Sequence, residues 1–139
     1  MSDQAVRLVR FGMLLVHGLG HGGALGALLW LAFRPGTSTG AWTSARSWLV
    51  PSLAPGTATI VASAFWIASL VGFVTTALLF WFGSTDAWQP LAIVSAVVST
   101  VGIVLFFGAW PMFNTIAALL VNGVVLVALL MLRWAPPHG

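Results

Sequence analysis

Cysteine, lysine, tyrosine and glutamate are all missing from this chain, and charge of either sign is scarce. Without cysteine there are no disulfides, no thiolate metal ligands and no thiol nucleophile or dithiol redox pair. Without glutamate, and with Asp3 and Asp86 the only acids, no carboxylate lies within a long apolar stretch to do acid–base work. Charged residues make up 5% of the 139 residues, against roughly 25% in a soluble domain. Too little charge is present to cover a water-exposed surface. Hydrophobic residues make up 60% and the mean hydropathy is +1.05, values that call for lipid as solvent.

The isoelectric point near 11.8 comes from five arginines against two aspartates. Arg7, Arg10, Arg34, Arg46 and Arg133 are scattered near the ends of apolar runs, where membrane anchoring accounts for them better than a phosphate-binding patch. No nucleic-acid partner is expected; the expected partner is the lipid bilayer.

A transmembrane helix needs about 20 apolar residues. Four segments qualify, at about 8–33, 58–82, 90–109 and 111–134. The first is far longer than the roughly 7–15 residues of a signal-peptide core, so it reads as a retained helix. Pro90 and Pro111 open spans three and four, where the first helical turn tolerates them, while Pro35 and Pro136 follow spans one and four. Trp30, Trp81, Trp88, Trp110 and Trp134 fall near span ends, as an aromatic belt requires; Trp66 lies deeper. The expected fold is all-α: a four-transmembrane-helix antiparallel bundle forming a single membrane domain. The connection from Arg34 to Thr57 is long and carries Trp42, Arg46, Trp48, Leu49 and Val50. It reads as an interfacial segment, either a short helix lying on the membrane or an irregular loop with its Trp residues in the headgroups. An even number of spans puts both termini on one side. Arg7, Arg10 and Arg133 there, against Arg34 and Arg46 opposite, favour the cytoplasmic side.

His17 and His21 stand four apart in the first span and share a helix face. They lie roughly 13 and 20 Å in from Leu8, near the bilayer midplane, where polar residues are costly and turn toward the bundle interior. Gly18, Gly22 and Gly26 form a small-residue stripe beside them, a surface for close helix packing. Asn122 of span four reaches the same depth, as do Ser69, Ser99 and Thr100. The sequence therefore permits one polar layer of His17, His21, Ser69, Ser99, Thr100 and Asn122. Asn114 lies eight residues before Asn122 on roughly the same face.

Three readings of this layer are open. Neutral His and Asn hydrogen-bond between helices and only hold the bundle together. The layer binds a small ligand, or lies on an ion or proton path. Or His17 and His21 ligate a metal ion or haem. An i, i+4 His pair grips a metal from one side only, and no third ligand is evident. Two residues on one helix face cannot supply both axial ligands of a haem, so a homo-oligomer or a partner chain would complete such a site. Gly18, Gly20 and Gly23 fit a glycine-rich fingerprint formally, but no strand precedes them and nucleotide binding is dismissed. Met13, Met112 and Met131 read as packing or lipid-facing residues, and His138 as a solvated tail residue. Catalysis is not expected.

The stretch Val16-His17-Gly18-Leu19-Gly20-His21 resembles the first span of small bacterial four-helix membrane proteins with an HGLxH motif, similar in layout to the DoxX-like group. Phe113-Asn114-Thr115-Ile116-Ala117 resembles a Gly-Thr-small-Ala-Asn segment that opens their last helix. Asn114 stands here in place of the glycine and Ala118 in place of the asparagine, with Asn122 one turn further on. The likeness covers the whole chain in layout and two short stretches in motif. It implies a multi-pass protein of the bacterial inner membrane. Because DoxX-like proteins are associated with membrane redox complexes, it also favours reading the chain as a partner subunit; the redox alternative is a subunit holding a metal, haem or quinone. The leading expectation remains a small membrane protein binding a small ligand or a partner through the His/Asn layer. The alternatives are the redox subunit and a small oligomeric transporter.

Overall fold

A computed structural model describes residues 2–34, 43–83 and 86–132. Trp42, Arg133, Trp134, His138, Pro35 and Pro136 lie outside the described residues. Four helices follow one another: α1 (Asp3–Phe33), α2 (Pro55–Phe82), α3 (Trp88–Leu105) and α4 (Met112–Leu130). No strand occurs among the described residues. All four helices are long and apolar enough to cross a membrane.

Local chemistry sets the helix ends. Ser2 caps α1, its hydroxyl accepting from the Ala5 amide, and Asp3 lies in the first turn where a negative charge is favourable. Pro55 opens α2, where its missing N–H is no loss. Gly83 closes that helix at φ 67°, a left-handed position that favours glycine. Span three ends earlier than expected, at Leu105 rather than Ala109. Gly108 adopts φ 89° and Pro111 biases Trp110 away from helical geometry. The chain therefore turns through residues 106–111 and carries Trp110 across the end of the bundle. Span four likewise ends at Leu130, short of Trp134.

Of the two forms open for the interfacial segment, residues 43–54 take the irregular one and form no helix. Pro51 and Pro55 disfavour helix at Val50 and Ala54. The polar groups of this segment are engaged elsewhere. The Thr43 amide donates to Ala109 O, its hydroxyl to Gly108 O, and the Trp48 indole to Val104 O. The segment is thus laced to the corner between α3 and α4, with Ala45 and Ser47 buried and Trp48, Leu49 and Val50 exposed.

In lipid, helices associate through close packing rather than water exclusion, so small residues decide which faces meet. A Cβ on Gly102 of α3 would lie 2.8 Å from the Phe65 Cβ of α2, and one on Gly72 of α2 would overlap Ser95 of α3. Between α1 and α2, Gly18 faces Phe73 and Val74 at 3.0–3.1 Å, and Gly22 faces Leu70 at 3.5 Å. A Cβ on Gly26 would meet nothing within 4 Å among the described residues, so the stripe on α1 packs against α2 at its first two positions and not at the third. In both pairs the partners run in opposite order along the chain, which makes the neighbours antiparallel. Arg7 fits this arrangement, its guanidinium donating to Trp81 O at the end of α2, where helix carbonyls favour a cation.

Two apolar clusters fill the bundle. One gathers Leu14, Phe73, Ala77, Ala92, Ala96 and Val125; the other is built around Trp66, Ile103 and Phe106. Polar side chains lie between them. α1 packs along α2, α2 along α3 and α3 along α4, while the backbones of α1 and α4 share no extended contact. That divergence leaves a gap on one side of the bundle.

Candidate site in the cleft between α1 and α4

The gap is a cleft of about 350 Å³. Met13, Val16, His17, Gly20 and His21 line it from α1; Trp110 and the α4 positions 113, 114, 117, 118 and 121 line it from the other side. Val16, Gly20, Phe113 and Asn114 are exposed at its rim, so the cleft faces the surroundings of the bundle and, in a membrane, the lipid. Because α1 rises about 1.5 Å per residue, His17 lies roughly 21 Å from the Asp3 end, near the middle of the helix.

Five of the six residues expected in a polar layer, His17, His21, Ser99, Thr100 and Asn122, form one hydrogen-bonded network in which the Asn122 amide can be oriented. Thr100 donates its hydroxyl proton to Ala96 O at 2.7 Å. It can therefore only accept from Asn122, whose Nδ2 lies 3.2 Å away. That fixes the amide: Nδ2 faces α3, where it also donates to Ser99 Oγ at 2.8 Å, and Oδ1 faces α1. Oδ1 is an acceptor, so His17 Nε2, 2.8 Å from it, carries the hydrogen. A neutral imidazole has one N–H, which leaves His17 Nδ1 with a lone pair. Ser99 accepts from Asn122 and shares a second hydrogen bond with His21 Nε2 at 3.0 Å. His21 Nδ1 is buried and has no hydrogen-bond partner among the described residues.

His21 is 1% exposed and sits in an aromatic cage. Its ring stacks on Phe73 at 6.1 Å and on Trp66 at 5.9 Å, with Trp110 tilted over it at 5.4 Å. His17 meets His21 edge-on at 5.0 Å and Phe73 at 4.5 Å. The cage holds both imidazoles in one orientation.

Ser69 is fully buried, but its hydroxyl has no hydrogen-bond partner among the described residues and does not join the network. Asn114 is exposed at the cleft mouth, one helical face with Asn122 but not bonded to it. The residues missed by sequence reasoning are Phe73, Gly20 and the caging role of Trp66 and Trp110. Trp110 read only as a boundary anchor. The signal for Trp66 was its depth, the one tryptophan away from any span end. A larger groove of about 690 Å³ lies at the end of α1 and the start of α2. Its polar lining is limited to the hydroxyls of Ser44, Thr59 and Ser63, so it lacks the chemistry of the histidine cleft.

As a metal site the pair is already committed at both Nε2 atoms, His17 to Asn122 and His21 to Ser99. Among the described residues no third His, Cys, Asp or Glu stands close enough to complete a set. No protein-family model, curated protein or solved structure matches the chain, so the reading of the cleft rests on its geometry.

Proposed function

We propose that this is a small multi-pass membrane protein that takes a small lipid-soluble ligand into the cleft between α1 and α4, with His17 and His21 reading its polar end. One observation carries the reading: an apolar cleft open on the outer side of the bundle has the two histidines His17 and His21 in its lining. Asn122, Ser99 and Thr100 position the histidines and do not themselves line the cleft. Small-molecule sites share this design of an apolar wall with few, well-placed polar groups.

The redox-subunit reading, which the DoxX-like layout suggests, has less support from the donor set, because Ser99 and Asn122 engage both Nε2 atoms. The setting we adopt is the bacterial inner membrane with both termini in the cytoplasm.

The test is extraction. Wild-type protein and Gly20→Leu, purified in mild detergent, are compared for co-purifying small molecules by mass spectrometry. A Cβ on Gly20 meets nothing within 4 Å, so leucine there fills the cleft without disturbing helix packing. A molecule retained near stoichiometry by wild type and lost in Gly20→Leu is expected. Identical extracts from the two proteins would overturn the proposal.

A further inference from the structure

We propose that the groove at the end of α1 and the start of α2 is a second site, which holds one phospholipid with an acyl chain in the groove and the phosphate at its mouth. It shares no lining residue with the α1–α4 cleft. Shape argues for the chain. The groove has a volume of about 690 Å³ and is lined by Leu29, Ala32 and Phe33 of α1 and by α2 from Pro55 to Ile67. At 1.5 Å per residue it runs roughly 18 Å down α2. One leaflet of the hydrocarbon core is about 15 Å deep, half of the roughly 30 Å of the whole. The groove therefore reaches from the boundary, where the helices end, to about the midplane. At roughly 30 Å³ per water-sized group, its volume takes about 20 such groups, one full acyl chain and part of a second. Gly56 keeps it open, because a Cβ there would meet nothing within 4 Å among the described residues.

Charge complementarity argues for the head. The only acids, Asp3 and Asp86, stand where α1 begins and just before α3, at the opposite end of the antiparallel bundle. The groove end carries Arg34, the C-cap of α1 next to Phe33, and Arg46. Arg34 lies over the Trp30 ring at 4.3 Å, which holds that cation beside the last turn of α1. Ser44, Arg46 and Trp48 are exposed while Ala45 and Ser47 between them are buried. Arg46 therefore faces outward on the same side of the chain as Ser44, which lines the groove. α2 also starts at this end, presenting the positive pole of its backbone dipole. Cationic side chains at the end of an apolar groove between membrane helices suit a phospholipid head group. A free phosphate makes no use of the groove, and a diacylglycerol makes no use of the cations. A second copy in a two-fold pair would bring its own Arg34 and Arg46 to the mouth, like charges with no acid to offset them.

The measurement is native mass spectrometry of the full chain in mild detergent, washed free of loosely held lipid and titrated with dioleoylphosphatidylglycerol or dioleoylglycerol. Wild type is expected to hold one phosphatidylglycerol per protein and no diacylglycerol. Gly20→Leu is expected to hold it equally well, because the α1–α4 cleft is elsewhere. Gly56→Leu fills the groove from its open position and is expected to lose the lipid. Arg46→Gln, an exposed change, is expected to weaken phosphatidylglycerol binding about fivefold, the factor that corresponds to roughly 1 kcal/mol per arginine at an anionic lipid. Equal binding by wild type and Gly56→Leu would overturn the proposal, and so would diacylglycerol binding as well as phosphatidylglycerol. A wild-type dimer that Gly56→Leu converts to monomer, with no lipid on either, would give the groove to a second copy. If Gly56→Leu fails to fold, Arg46→Gln decides, and an unchanged affinity there would overturn the phosphate assignment.

Discussion

Replacing Asn122 with leucine is the sharpest perturbation the structure offers, because this one side chain ties α4 to two other helices. It accepts from His17 on α1 at 2.8 Å and donates to Ser99 and Thr100 on α3 at 2.8 and 3.2 Å. Leucine keeps the volume and removes all three bonds. Interhelical hydrogen bonds in membranes average about 0.6 kcal/mol each, so their loss amounts to about 2 kcal/mol. Thr100 keeps its bond to Ala96 O and Ser99 keeps its bond to His21. His17 Nε2–H is the group left without an acceptor, at a further cost of about 1 kcal/mol or more. The expected total is about 2–4 kcal/mol, read from reversible unfolding in mixed micelles. Asn114→Leu is the control: it removes a similar amide, at the exposed cleft mouth, and should change stability by less than about 0.5 kcal/mol. A double-mutant cycle with His17→Ala should return a coupling of roughly 0.6–1.7 kcal/mol. The reasoning is refuted if Asn122→Leu is as harmless as Asn114→Leu, or if the cycle returns no coupling.

Three other outcomes follow from the same geometry. Gly102→Ala should destabilise the bundle by about 1–3 kcal/mol through overpacking against Phe65, whereas Gly26→Ala should be neutral or stabilising because its Cβ meets nothing; the two are compared in one unfolding titration. Ser99→Ala removes the hydroxyl bonded to His21 Nε2, so the His21 ¹⁵N NMR pattern should change while the His17 Nε2–H signal stays. The purified protein should hold no stoichiometric transition metal, measured by elemental mass spectrometry. A metal that is present in wild type and lost in His17→Ala would instead favour the redox reading.

The spans were legible because charge is nearly absent from them and their length matches a bilayer. The depth of His17, His21, Ser99, Thr100 and Asn122 was legible too, because depth follows from residue count along a helix. Which of these residues meet was not. Ser69 lies at the same depth as Ser99, but the rotation of α2 about its axis is set by Gly72 and Gly102 at the α2–α3 contact. Ala92, Ser95, Ser99 and Gly102 do form a small-residue stripe on α3, and reading it would have pointed to that contact. The α1 stripe was readable as a pattern, while the failure of Gly26 to find a partner depends on how far α1 runs along α2. The cleft itself has no signature in any one helix. It exists because α1 and α4 diverge, and Trp110 reaches it only because Gly108 and Pro111 end α3 early and turn the chain across the bundle end.

The central claim, that the α1–α4 cleft is a ligand site, is tested most directly by photolabelling in bilayers with a diazirine-bearing decanol, mapping labelled residues by peptide mass spectrometry. The account predicts saturable labelling of Val16, Ala117 and Val121 that unlabelled 1-decanol competes away and that Gly20→Leu abolishes. Labelling spread evenly over lipid-facing residues such as Val94, Leu120 and Val124, unaffected by competitor or by Gly20→Leu, would contradict it.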